Sequence, residues 1–162
     1  MWGSWVKLNW IGRVINRCYD FPHNNYVFQS KNPKRFSEWF VTPKANIMLG
    51  TTIETDHYWD WNFKSGAPSI EERYNGMLHL PKGTIKFITI EPIMDFHLKS
   101  LMDMIRNIHP HFVTIGADSK GHGLNEPSWE KVEALIVALG KEGIEIRQKT
   151  NLDRLKKMGG RQ

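Results

Sequence analysis

Charged side chains stand at or just beyond the carboxyl ends of five predicted strands. Lysines in such positions are able to hold phosphate or carboxylate groups, and carboxylates are able to hold ribose hydroxyls or an amine. We therefore predict that a small polar or phosphorylated ligand binds at this edge of the sheet, where a serine adds a hydroxyl donor. The predicted ligand-binding residues are Lys31, Glu54, Glu91, Asp118, Ser119 and Lys149.

The acidic members of this set allow a second interpretation. Glu54, Glu91 and Asp118, with His57 or His122 close by in sequence, have the chemistry of an oxygen-rich site for a divalent metal. Such a site would make the chain a metal-dependent hydrolase or lyase. No nucleophile elbow and no catalytic triad order is present, so the catalytic residues stay unassigned. A non-catalytic remnant or interaction module is the third interpretation.

Two loops carry further candidates. The glycine-rich loop at 116–123 would let backbone N–H groups approach an anion, with Lys120 as a further donor, although its spacing differs from a Walker motif and a plain flexible loop is the alternative. The loop that contains His57, Tyr58, Trp59 and Trp61 offers flat rings, which either stack on a ligand or pack the end of a barrel.

Alternating strands and helices position these residues. Because short turns join the elements, we expect parallel strands with right-handed crossovers. Asn32-Pro33 predicts a helix start, with asparagine as the cap, and Ser69 with Glu72 has the spacing of a capping box. The predicted strands are 26–30, 47–53, 85–90, 112–116 and 144–148, and the other predicted helices are 5–19, 70–80, 98–108, 129–139 and 152–158.

The two faces of the predicted strands differ in polarity. A doubly wound sheet has helices on both faces and therefore needs strands that are apolar on both. Here one face is small or polar, which favours a single outer layer of helices around a partial (β/α) barrel of about five parallel strands, in one domain over 1–162. The apolar face consists of Tyr26, Phe28, Ile47, Leu49, Ile53, Ile88, Ile90, Val113, Ile115, Ile144 and Ile146.

The composition of the chain bears on its redox chemistry, its partners and its location. The chain has 162 residues, a net charge of +5 and a single cysteine, Cys18, which lies on a helical face and predicts a buried structural thiol. The only dense basic run is Arg154, Lys156, Lys157 and Arg161, so we do not expect nucleic-acid binding. No apolar run approaches the ~20 residues of a membrane span, and the first residues lack a signal-peptide layout, so we expect a cytoplasmic protein.

A partial barrel leaves two open sheet edges. Exposed edges invite pairing with another chain, and most soluble homo-oligomers are two-fold dimers. We therefore predict a homodimer, in which the tryptophans at 2, 5 and 10 are candidates to cover an exposed side.

Several runs resemble a known family when they are taken together. These runs are Phe28-Gln29-Ser30-Lys31-Asn32-Pro33-Lys34-Arg35-Phe36, Leu49-Gly50-Thr51-Thr52-Ile53-Glu54, Ile88-Thr89-Ile90-Glu91-Pro92, Val113-Thr114-Ile115-Gly116-Ala117 and Gln148-Lys149. In this order they resemble the C-terminal half of a radical-SAM-like partial TIM-barrel family of unknown function that phages and mobile elements often encode.

The resemblance implies a partial TIM barrel with SAM- or nucleotide-binding ancestry. The three-cysteine iron–sulfur motif of that family has no counterpart in this chain, so we expect no iron–sulfur cluster and no radical chemistry of its own. Relatives tend to have Gly-Gly-Glu where this chain has Gly116-Ala117-Asp118. One half of a split radical-SAM-like enzyme is a further alternative.

Overall fold

A computed structural model describes residues 1–57 and 66–159 of the chain. Its five strands are β1 (Tyr26–Gln29), β2 (Ile47–Thr52), β3 (Ile85–Ile90), β4 (Phe112–Ile115) and β5 (Glu145–Gln148). Its helices are α1 (Leu8–Asp20), α2 (Ile70–Leu78), α3 (Leu98–Ile108), α4 (Trp129–Lys141) and α5 (Asp153–Gly159), with 3₁₀ turns at Pro33–Phe36 and Thr150–Leu152.

The strands form one parallel sheet in the order β1-β2-β3-β4-β5. Each strand therefore pairs with the next one along the chain, as in a barrel. Because crossovers between parallel strands are almost always right-handed, this order places the connecting helices on one face of the sheet. The predicted α/β partial-barrel fold is confirmed, and β1 and β5 are its two edge strands.

The core lies between the apolar face of the sheet and the helices. All eleven residues of the predicted apolar face belong to the core cluster or pack against it, which confirms the assignment of the two faces. From the helices, Leu101 and Ile105 of α3 and Leu135 of α4 are completely buried in the same cluster. A shift of one residue in any strand would turn its apolar side chains away from these helices.

Local sequence signals explain where helix α2 begins and where helix α4 ends. The predicted capping box is present, since the Glu72 backbone N–H donates to Ser69 Oγ at 3.1 Å and the Ser69 backbone N–H donates to Glu72 Oε2 at 2.7 Å. This backbone N–H of Ser69 is the main reason why the pKa of Glu72 lies below its usual value. After α4, Gly143 has a positive φ of 71°, the left-handed conformation that commonly follows the end of a helix.

The prediction of a helix after β1 is wrong. Only the short 3₁₀ turn Pro33–Phe36 forms there, and the Asn32 side chain makes no cap. Instead, Asn32 Nδ2 donates to the backbone carbonyl of Trp2 at 3.2 Å, so the amide is engaged by the N-terminal segment. The apolar residues of this segment still reach the core, because Phe36 and Phe40 are both buried.

The N-terminal tryptophans have different environments. Trp2 is buried and contacts the rings of Phe28 and Phe36 edge to face, so it covers the β1 end of the core. Trp5 and Trp10 lie on the surface, with 82% and 56% of their area exposed. Sequence reasoning grouped the three as one cover, but only Trp2 is buried in the fold.

Cys18 and the apolar character of the helices agree with the composition of the chain. Cys18 is buried, as expected for a structural thiol, and burial raises its pKa. Within residues 1–57 and 66–159, no helix combines the length and the apolar character needed to cross a membrane.

Replacing Gly50 with alanine should destabilise the sheet. A Cβ at Gly50 would overlap the Phe87 ring, which is buried and stacked on Phe112 at a centroid distance of 5.0 Å. We expect Gly50→Ala to lower the free energy of unfolding by about 1–3 kcal/mol, the usual effect of overpacking. Urea denaturation measures this change.

Gly140→Ala in α4 is the matched control. No neighbouring atom lies within 4 Å of a Cβ at Gly140, so alanine should raise stability by about 0.5–1 kcal/mol through its helix propensity. Equal stability changes in the two variants would contradict the packing described for Gly50.

We propose that the open edges are protected by dimerisation. Val27 on edge strand β1 is 61% exposed, which leaves an apolar side chain beside unpaired backbone groups. Light scattering at micromolar concentration should give a mass near that of two chains, and Val27→Lys should shift the equilibrium toward monomer. A mass that stays near 18.9 kDa throughout a dilution series would contradict the dimer.

Candidate functional site at the carboxyl ends of the strands

Glu54 is the most buried charge at this edge of the sheet. Its side chain has no solvent exposure, and it accepts hydrogen bonds from Lys31 Nζ at 2.6 Å and from Arg73 Nη1 at 2.7 Å. Lys31 follows β1, Glu54 follows β2 and Arg73 belongs to α2. The three charges therefore connect two strands and the helix that covers them.

Arg73 is fixed by further contacts. Its Nη1 donates to the Thr52 carbonyl at 3.1 Å, and its Nε donates to the Pro68 carbonyl at 2.8 Å. Only 4% of its side chain is exposed, whereas 45% of the Lys31 side chain is exposed. Lys31 is thus the member of this ion cluster that a ligand is able to reach.

A second ion pair joins strands that are not neighbours. Lys149 Nζ lies 2.5 Å from Glu91 Oε2, although β4 separates β3 from β5. Gly116 makes this possible, because a Cβ at this position would lie 2.8 Å from Glu91 Oε1. Asn151 Nδ2 donates to Glu91 at 3.2 Å and to the Ala117 carbonyl at 2.8 Å, which ties the 3₁₀ turn after β5 to the same place.

Asp118 organises the glycine-rich loop rather than an anion. Its carboxylate accepts hydrogen bonds from the backbone N–H groups of Lys120 and His122, and His122 Nδ1 lies 2.9 Å from Asp118 Oδ1. The Lys120 N–H is the largest cause of a pKa of about 2 for Asp118. Because the N–H of Asp118 itself donates to Glu126, three backbone N–H groups of the loop considered for anion binding already donate to carboxylates of this chain.

The predicted ligand-binding residues thus fall into three separate arrangements. Lys31 pairs with Glu54, Lys149 pairs with Glu91, and Asp118 pairs with His122, while Ser119 lies exposed in the loop. Each carboxylate has donors of its own, so the geometry gives no support to a shared metal site of Glu54, Glu91 and Asp118.

A different group has the arrangement expected of metal ligands. Among the described residues, Asp56, His57 and His97 form the one group of three whose potential ligand atoms all lie within 4.8 Å of one another. His97 Nδ1 lies 3.1 Å from both Asp56 Oδ2 and His57 Nε2. Asp56 and His57 follow β2, and His97 immediately precedes α3, so this group also lies at the carboxyl ends of the strands.

A cavity of about 670 Å³ opens beside β1 and the N-terminal segment. Its lining brings exposed Trp5 together with Gln29 and Lys31 at the end of the strand. On another side it is bounded by residues 66–68, which lead into α2. The cavity therefore combines a flat ring, an amide and a cation.

Sequence reasoning missed several residues of this edge. Arg73 was hidden within a helix, and Asn151 lies beyond the last strand, so neither position pointed to a carboxylate partner. Asp56 and His97 had a detectable signal, since both follow buried strands that are neighbours in the sheet. Tyr58, Trp59 and Trp61, which we considered for stacking, lie outside the described residues.

Comparison with protein-family models, with curated proteins and with solved structures found no match for this chain. The resemblance to the radical-SAM-like family therefore stays a prediction from the sequence. What is known of the site comes from its geometry.

Glu54→Gln should be strongly destabilising. The substitution would leave the buried guanidinium of Arg73 without its carboxylate, and breaking a buried ion pair in this way typically costs about 3–5 kcal/mol. Chemical denaturation at neutral pH measures the effect. Glu91→Gln is the matched comparison. The Glu91 side chain is 23% exposed, so this variant should lose less stability than Glu54→Gln. Similar losses in both variants would contradict a special role for the buried carboxylate.

The Asp118 carboxylate should stabilise the chain at neutral pH and lose this effect in acid. Its folded-state pKa of about 2 is below the ordinary value of 3.8, so its contribution is complete above pH 3.8 and is lost as the pH falls toward 2. Asp118→Asn should lower the urea midpoint at pH 7, and the difference from the parent chain should shrink in acid.

Asp20→Asn provides the control for this pH experiment. Asp20 is exposed and lies 3.6 Å from Arg17, so its replacement should change stability by less than about 0.5 kcal/mol. A constant difference in stability between Asp118→Asn and the parent chain from pH 7 to acid would contradict the hydrogen bonding described for Asp118.

Proposed function

We propose that this chain binds a small polar ligand with a flat ring and an anionic group, of the nucleotide or SAM class, at the carboxyl end of β1. The observation that carries the proposal is the cavity of about 670 Å³ between Trp5 and Lys31. Ligand pockets in proteins commonly have volumes of about 300–1,000 Å³ and a few well-placed polar groups.

The charges beside the cavity favour an anionic ligand. Lys31 and Arg73 carry two positive charges around the single negative charge of Glu54, so the cluster has an excess of one positive charge. Arg73 and Glu54 are buried, whereas the Lys31 side chain is half-exposed and lines the cavity, so this excess positive charge is accessible there. A phosphate or carboxylate there would gain a charge-assisted hydrogen bond.

The aromatic wall favours a ligand with a flat ring. Trp5 is 82% exposed and its indole lies over Gly3, where a Cβ would approach the ring to 2.5 Å. Stacking of a base on an aromatic side chain is worth about 1–3 kcal/mol. Gln29 of β1 adds an amide at the same opening, which is able to hydrogen-bond to the edge of a ring.

The proposed role is binding without radical chemistry. An iron–sulfur cluster of the radical-SAM kind needs several thiolates, and Cys18 is the one cysteine of this chain. Cys18 is also buried on α1. We further propose a cytoplasmic location, in keeping with a lone unpaired cysteine and with a nucleotide-like ligand.

Thermal shift and calorimetric titration with AMP, ATP, SAM and S-adenosylhomocysteine test the proposal. We expect at least one of these compounds to raise the melting temperature, because a ligand that binds only the folded state stabilises it. Trp5→Ala should weaken binding by about 10-fold, the equivalent of 1.4 kcal/mol. The folded chain should tolerate this change, since the Trp5 side chain is largely exposed.

Trp10→Ala is the matched control, because Trp10 is also an exposed tryptophan but lies on α1 and not at this cavity. The affinity of this variant for the same ligands should equal that of the parent chain. The proposal would be wrong if millimolar ligand caused no shift, or if both tryptophan variants lost affinity equally.

A further inference from the structure

Asp56, His57 and His97 bring one carboxylate and two imidazoles to a common point. His57 Nε2 and His97 Nδ1 are 3.1 Å apart, and Asp56 places Oδ2 3.1 Å from His97 Nδ1 and Oδ1 3.7 Å from His57 Nε2. Two nitrogens bound to zinc at about 2.0–2.1 Å in a tetrahedral site lie about 3.3 Å apart. The two imidazole nitrogens, 3.1 Å apart, therefore lie about as close together as two ligands of one transition-metal ion.

A single proton among these three atoms satisfies only one of their contacts at a time. A proton on His97 Nδ1 has two acceptors at 3.1 Å, Asp56 Oδ2 and His57 Nε2, and it is able to point well at only one of them. A proton on His57 Nε2 instead would leave the His97 nitrogen as its acceptor, and that nitrogen would then face the Asp56 carboxylate lone pair to lone pair. A divalent cation bonds to all three atoms at once.

The supporting contacts resemble those that orient metal ligands. The Asp56 side chain is 3% exposed, and its Oδ1 accepts the backbone N–H of His97 at 2.8 Å. The backbone N–H of His57 donates to Thr55 Oγ1, which in turn donates to the carbonyl of Asp95. Such outer contacts set the direction of the ligands before a metal arrives.

We propose that Asp56, His57 and His97 bind a divalent transition-metal ion, with Zn²⁺ as the favoured metal. Two imidazoles and one carboxylate are a donor set that suits zinc and iron and is too rich in nitrogen for magnesium or calcium. This site is separate from the ligand-binding role proposed for Lys31 and uses none of the carboxylates of the sequence-predicted metal site.

Three protein ligands leave at least one coordination position for water or for an anionic oxygen. Such sites are typical of catalytic zinc, whereas structural zinc is normally held by four protein ligands. A bound metal with an open position acts as a Lewis acid. The 74% exposure of the His97 side chain keeps this side of the group accessible from solvent.

Metal binding can be measured on the full chain after chelator treatment. We expect dialysis against micromolar Zn²⁺, followed by elemental analysis, to return one zinc per chain. His97→Ala should weaken zinc binding by more than about 100-fold, because changes to the outer contacts alone already cost about 10- to 100-fold. In chelator the variant should remain folded, since the His97 side chain is largely exposed and the backbone N–H of residue 97 still donates to Asp56 Oδ1.

His122→Ala is the matched control. His122 also pairs with a carboxylate, Asp118, at 2.9 Å, but this pair belongs to no group of three ligands among the described residues. Zinc affinity should be unchanged in this variant. A parent chain that retains no zinc, or a His97→Ala variant that binds zinc as tightly as the parent chain, would overturn the proposal.

Cobalt substitution tests the geometry independently of affinity. Co²⁺ bound by two imidazoles and a carboxylate should give visible absorption bands that are absent from His97→Ala and present in His122→Ala. Addition of millimolar inorganic phosphate should change these bands if a coordination position is open. Bands that are identical with and without phosphate would overturn the open position, and bands that survive in His97→Ala would overturn the ligand assignment.

Discussion

The carboxylate of Glu54 lies where solvent does not reach, and this burial requires compensation. An ionised carboxylate in such a place is strongly unfavourable unless cations and hydrogen-bond donors surround it. Lys31 and Arg73 supply both, and they come from the end of β1 and from α2. This ion cluster therefore links the ends of β1 and β2 to α2, at the side of the sheet where Lys31 borders the cavity.

The ion pair between Glu91 and Lys149 forms because the position between them, Gly116, has no side chain. Glu91, Gly116 and Lys149 lie in a row across three strands, and the middle position carries only hydrogen. The Glu91 carboxylate occupies the space that a side chain at position 116 would fill, and it contacts the ammonium of Lys149, which follows β5. A larger residue at position 116 would therefore push Glu91 away from Lys149.

Much of the fold could be predicted because its signals are local. Alternation of polarity along strands identified the buried face, and Ser69 with Glu72 identified the start of α2. Asn32-Pro33 misled because its local pattern suits a helix, while a distant partner, the carbonyl of Trp2, determines its structure. The contacts of the candidate site were harder to predict, because they too depend on partners that are distant in the sequence. Charges at strand ends were visible in the sequence, but Arg73 and Asn151 reach them from positions 19 and 60 residues away.

The spacing of these partners along the chain also sets an order of assembly during synthesis. Lys31 precedes Glu54 and Arg73 follows it by 19 residues, so this cluster is complete soon after α2 leaves the ribosome. Glu91 is different, since Lys149 and Asn151 follow it by 58 and 60 residues. Translation is slow, at about 5–20 residues per second, so the nascent chain carries Glu91 for seconds before either partner is made. The ion cluster at the ends of β1 and β2 is thus able to form during synthesis, while Glu91 after β3 still lacks its partners from the end of the chain.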